Sequence, residues 1–251
     1  MLKPALRQKP VKPPQSWRDL AHGRWLQHQV EEAIAPHAER LYGYHFARLG
    51  ALSAELTLPK FPIAHQFAVA ERPHHAVQVC ALPTAWPFAE ASLDAVLMVG
   101  QLEFAQDPHQ ILREVSHSLI AEGKLIYVGF NPYALNQLQM LWPGYLNQYP
   151  WCGRYFTKAR VLDWLALLNF EVSVQHYFAP GLLQGRWNWP QRVAAQLNRA
   201  LPQFNSCYLL VARKREFPLT LLPEKNKHRK LAPKLQTVPL ANQTQSKESS
   251  C

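Results

Sequence analysis

Paired cysteines, long apolar runs and acidic charge are all scarce in this chain. Its four cysteines, Cys80, Cys152, Cys207 and Cys251, are scattered, and no C-x-x-C pair occurs among the 251 residues. That pattern argues against a structural zinc site or a disulfide framework and reads as reduced thiols in a cytoplasmic protein. The eleven histidines, including the His74-His75 pair, show no metal-ligand spacing, so no metal site is expected. No stretch approaches the roughly 18 uninterrupted apolar residues of a bilayer span, so no membrane span is expected. The N-terminus carries positive charge without the apolar stretch of a secretory signal. Phosphate loops and nucleophile elbows are also missing.

Basic charge is what the chain does have, with a formal net charge of +10. Residues 1–24 carry +5 and residues 213–251 carry +6, which leaves the middle at −1. The basicity therefore sits in two Pro-rich, polar ends whose composition reads as disordered and solvated rather than as a binding groove. Nonspecific attraction of nucleic acid or anionic lipid to those ends is the less favoured alternative. The expected organisation is a basic N-terminal segment 1–24, one domain over 25–215 and a basic tail over 216–251.

Between the ends, short apolar strands alternate with helical segments, as in a parallel sheet covered on both faces. A first helix is expected over Trp25–Leu41, with Leu26, Val30, Ile34 and Leu41 on one face and Pro36 kinking or dividing it. Strands are expected at His45–Leu49, His65–Ala70 and Ala76–Ala81. Later, Thr157 caps a helix that carries Val161, Trp164, Leu165 and Leu168 on one face and stops near Asn169. Strands Phe170–Phe178 and Cys207–Ala212 follow, and residues 180–206 match no element.

Residues 86–132 are the most readable part. Leu93–Val99 is a buried strand, and Asp107 caps the next helix, with Pro108 in its first turn and Gln110 completing a capping-box pattern. Ile111, Leu112, Val115 and Leu119 form its apolar stripe, and Gly123 is expected to end it in the left-handed conformation. Lys124–Phe130 is again a strand, so the segment is a right-handed β-α-β unit.

The run W-P-F-A-x-x-S-x-D, then L-E-F-x-x-D-P-H-x-x-L-R-E-V, E-G-K-L and G-F-N-P resembles the type 11 class I methyltransferases, above all a bacterial branch that ends in G-F-N-P. That branch also shows a D-W-L-x-L-L-x-F segment like Asp163–Phe170. The likeness spans roughly residues 40–215. It implies a three-layer, Rossmann-like α/β fold with a seven-stranded, mostly parallel sheet and a final antiparallel hairpin. It further implies S-adenosylmethionine as cofactor, bound across the C-terminal ends of the first strands, and an unidentified methyl acceptor, a small molecule being favoured.

The same resemblance assigns residues. In FARLGALSA, residues 46–54, Gly50 keeps a glycine position of the cofactor loop, while Arg48 takes the place usually held by an acidic residue and Leu52 and Ala54 replace later glycines. Glu71, after the second strand, is placed to accept hydrogen bonds from the ribose hydroxyls. Ala81 and Leu82 stand near the adenine, and Gly100 and Gln101 line the pocket after the fourth strand. No catalytic residue is assigned; Glu103, His109 and Asn131 are weighed as proton acceptors against plain structural roles. Aromatic residues of 140–156, namely Trp142, Tyr145, Tyr149, Trp151 and Tyr155, either hold an acceptor or pack on the sheet. The departures at 48, 52, 54 and 82 leave a second reading, a methyltransferase fold that binds or regulates without catalysing.

Overall fold

A computed structural model describes residues 12–60, 62–134, 148–179, 196 and 201–216. Seven strands form one sheet: β1 His45–Leu49, β2 His65–Ala70, β3 Val79–Cys80, β4 Leu93–Val99, β5 Leu119–Phe130, β6 Phe170–Phe178 and β7 Cys207–Lys214. Their order is β3-β2-β1-β4-β5-β7-β6, so the chain reverses its winding between β1 and β4. All pairs through β5 are parallel, and β7 runs antiparallel between β5 and β6. This is the seven-stranded, Rossmann-like sheet with its terminal hairpin that the sequence implied.

Alternation along β4 explains why the sheet needs cover on both sides. Val96 and Met98 enter one core with Leu112, Tyr127 and Leu165, whereas Ala95, Leu97 and Val99 enter the other with Leu26, Ile34 and Ile126. Helices α4 (Pro108–Ser118) and α5 (Lys158–Leu167) cover the first face, and α1 (Gly23–Ala38) covers the second. Two single-turn helices, α2 (Ala51–Ala54) and α3 (Gln101–Phe104), follow β1 and β4.

Local chemistry sets the boundaries. Asp107 accepts a hydrogen bond from Gln110 N at 3.0 Å, and Thr157 accepts one from Arg160 N at 3.3 Å, so both expected caps form. The Gln110 side chain bonds Glu114 and Arg113, so the reciprocal half of the expected capping box is absent. Helix α1 runs through Pro36 to Ala38 without dividing. Asn169 adopts φ 59° and stops α5. Helix α4 ends at Ser118 with Leu119 already extended, and Glu122, not Gly123, takes the left-handed conformation at φ 65°. Gly123 is required for space, since a Cβ there would lie 2.8 Å from the Ile120 carbonyl oxygen. The expected third strand shrinks to Val79–Cys80 because the Gln78 side chain, 2.6 Å from Ala68 N, takes over a ladder position.

Ahead of α1, the chain packs onto the domain. Ser16 caps a 3-10 turn, Trp17–Asp19, in a capping box completed by Asp19. Trp17 is 1% exposed, and its indole donates to Leu52 O at 2.9 Å. Residues 1–11 and 217–251, most of 180–206, and Trp142 and Tyr145 lie outside the described residues.

Candidate functional site

The C-terminal ends of β1, β2 and β4 bring three of the expected residues together. Gly50 follows β1 with φ +89°, a conformation that L side chains rarely adopt, and its N–H donates to Val69 O at 2.8 Å. A Cβ at this position would collide with the Gln101 side-chain oxygen. Glu71 stands exposed one residue beyond β2, and Gln101 opens α3 behind Gly100, which has φ 60°. A Cβ on Gly100 would come within 2.9 Å of the Phe130 ring, so this turn needs glycine twice over. Gly50, Glu71 and Gln101 line one recess at the point where strand order reverses, the position at which open α/β sheets hold ligands.

That recess is nearly closed. Pro13, Pro14 and Gln15 lie across it and leave about 10 Å³, against the roughly 300–1,000 Å³ of typical ligand sites. The covering strap is well anchored. Glu55, which caps the end of α2, accepts hydrogen bonds from Ser16 Oγ at 3.1 Å and Trp17 N at 3.0 Å. Tyr149 Oη donates to Lys12 O at 2.8 Å, and Ala21 N donates to Tyr149 O. Residues 13–17 were not singled out in the sequence, although the S-x-x-D pattern of Ser16 and Asp19 is a legible helix-start signal.

The other expected residues go elsewhere. Arg48 turns to the C-terminal end of α2, donating to Ala54 O and Leu56 O at 3.3 and 3.2 Å, where its charge opposes the carbonyl ends. Its Nε is buried without a partner, and burial lowers its pKa. Ala81 donates to Ala70 O and packs on the core, and Leu82 is exposed. Neither lines the recess.

Glu103 is fully buried on α3, where its Oε1 accepts from Tyr127 Oη and Phe130 N, both at 2.9 Å, while Oε2 has no partner. Burial lifts this carboxyl to about 7 against those hydrogen bonds. Asn131 bridges Gln203 O and Asn205 O at 2.7 and 2.8 Å, and His109 packs on Trp164 with its pKa lowered by burial. All three therefore hold structure. Of the aromatic group, Trp151 is buried, while Tyr149 and Tyr155 pack against the core.

Among known proteins, the family model described as "Methyltransferase domain" matches residues 56–127. The uncharacterized protein YafS of Escherichia coli (strain K12) is 36% identical over 231 residues, which cover 91% of this chain and 92% of that protein. The chain belongs to the type 11 class I methyltransferase family. Its fold is shared by a SAM-dependent methyltransferase from Thermotoga maritima, at TM-score 0.54 and 15% identity over 79% of this chain and 99% of that one. A SAM-dependent methyltransferase from Archaeoglobus fulgidus aligns at TM-score 0.51 and 15% identity, covering 76% and 94%. So does a chain from the complex of the Haloferax volcanii Trm112 methyltransferase activator with a methyltransferase, at TM-score 0.53 and 17% identity over 80% and 94%. Within this methyltransferase domain the family-like polar residues serve the architecture: Asp94 accepts from Tyr44 N and His45 N at 2.9 and 2.8 Å, and Glu114 accepts from Trp86 N at 3.3 Å.

Proposed function

We propose that the chain is an S-adenosylmethionine-dependent methyltransferase acting on a small-molecule acceptor, with its cofactor cleft at Gly50, Glu71 and Gln101. The observation that carries this reading is the convergence of those three residues at the strand-order reversal, around a turn that only glycine fits. The residue set suits the cofactor. Glu71 offers an exposed carboxylate for a ribose diol, Gly50 allows a close backbone approach, and Gln101 supplies an amide at the cleft floor. Arg48 faces away toward Ala54 and Leu56, so a cofactor ammonium would rely on backbone carbonyls rather than on a carboxylate at that position.

The cofactor, once bound, supplies an electrophilic methyl group on a sulfonium. The protein's contribution is to position two reactants, which by itself lowers a displacement barrier substantially. No proton acceptor is assigned, because Glu103 and Asn131 are held by structural partners.

The space for a cofactor exists only when residues 13–15 withdraw, which makes the strap a gate over the cleft. The same closed recess favours a second reading, a binding or regulatory protein on a methyltransferase fold. Calorimetric titration of the intact chain with S-adenosylmethionine and S-adenosylhomocysteine separates the two. Saturable one-to-one binding of either ligand supports the enzyme; no heat with millimolar ligand overturns it.

A further inference from the structure

We infer that Glu55, His74 and His75 form a binding site for one divalent transition-metal ion of the zinc class. This inference is independent of the cofactor reading. Glu55 lies at the end of α2 and the two histidines in the turn between β2 and β3, so the fold joins residues that no sequence spacing links. One ligand atom from each lies within 4.8 Å of the others. Glu55 Oε1 and His74 Nε2 are 3.1 Å apart, close to the ~3.4 Å that separates two ligands bound tetrahedrally at zinc distances. His75 is exposed, and its ring lies tilted against His74 with centroids 4.0 Å apart, so a modest swing brings it to the same point.

The surroundings suit a cation. The second oxygen of Glu55 is already fixed by Ser16 Oγ and Trp17 N, an arrangement that orients the first oxygen as hydrogen bonds orient carboxylate ligands. Ala76 N donates to His74 Nδ1 only at 3.5 Å, the far limit of a hydrogen bond, and this weak contact is given up when metal at Nε2 moves the ring proton to Nδ1. An open cleft of about 580 Å³ fronts all three side chains and leaves a coordination position for water or a ligand oxygen. Arg18, Arg24 and Asp19 also line this cleft. Two imidazoles, one carboxylate and an open position make up the donor set of zinc sites that retain an exchangeable ligand. An ion here ties the turn after β2 to α2 and, through Glu55, to the strap.

The test is zinc chloride titrated into intact, chelator-treated protein by calorimetry, with cobalt(II) absorption as a second readout. One-to-one binding and the visible bands of a four-coordinate cobalt site are expected. His75→Ala, which removes an exposed ring with no hydrogen bond of its own among the described contacts, should weaken zinc by about 100-fold or more and abolish the cobalt bands with its metal-free melting temperature unchanged. His74→Ala should likewise weaken zinc and abolish the bands, with some loss of metal-free stability because its ring contacts Glu55. His45→Ala serves as the control, because His45 and His65 form a separate exposed pair with Nδ1 atoms 2.9 Å apart. The proposal is overturned if wild type binds no zinc at millimolar metal, if His75→Ala and His74→Ala bind as tightly as wild type, or if His45→Ala alone removes the site.

Discussion

The two halves of the sheet use their polar residues differently. Around β4, α4 and β5, Asp94, Asp107, Glu103 and Asn131 each hold a neighbouring backbone group, so these polar residues are scaffold. Around β1, β2 and the strap, Glu71 and His75 face solvent and Gly50 exists for a turn, so this half presents the residues proposed to meet ligands. The family match over residues 56–127 spans both halves, so family likeness alone does not separate scaffold from the proposed site.

Substitutions in each half should sharpen or break that division. The largest effect is expected from Trp17→Ala, which deletes a buried ring and its bond to Leu52 O. Urea unfolding should register a loss of roughly 3–5 kcal/mol, and a loss below about 1 kcal/mol would mean that the strap is not part of the fold. Glu103 comes next. Its carboxyl stands at about 7 in the fold against an ordinary 4.5, so the folded state holds the proton more tightly. Its stabilising contribution is complete below about 4.5 and is lost as pH rises through 7, by about 3 kcal/mol in all. Glu103→Gln should flatten the pH dependence of stability between pH 5 and 8, and an unchanged slope in thermal unfolding would contradict the assignment.

Asp94→Ala leaves the Tyr44 and His45 amides without their acceptor, for a loss of roughly 1–3 kcal/mol. Its cofactor affinity should stay within about twofold of wild type; a large change would blur the line between scaffold and site. Glu71→Ala should do the reverse, with stability within about 0.5 kcal/mol and cofactor affinity down about tenfold, close to 1.4 kcal/mol. Equal affinity in calorimetry would remove Glu71 from the cleft.

What could be read in advance follows the same division. Leu93–Val99, the Asp107 and Thr157 caps and the Asn169 stop rest on local patterns, alternation or a side chain reaching its own backbone three residues on, and the folded chain keeps them. Strands β1 and β2 also keep their expected bounds. The features that could not be read in advance depend on distant partners. A Pro-rich, basic stretch reads as solvated, yet one tryptophan reaching a carbonyl 35 residues away anchors it. Arg48, placed in the cofactor loop by family likeness, donates to carbonyls at and just beyond the end of α2, contacts that only the folded chain sets. The cluster of Glu55 with His74 and His75 depends on the pairing of β1 with β2, which no local motif encodes.

The proposed cofactor cleft lies beneath the chain's own N-terminal strap. Deleting residues 2–14, which keeps Ser16 and Trp17 in place, and titrating S-adenosylhomocysteine against deleted and intact chains tests it most directly. At least tenfold tighter binding in the deleted chain is the predicted result. Equal affinity in the two chains, or no binding in either, would contradict it.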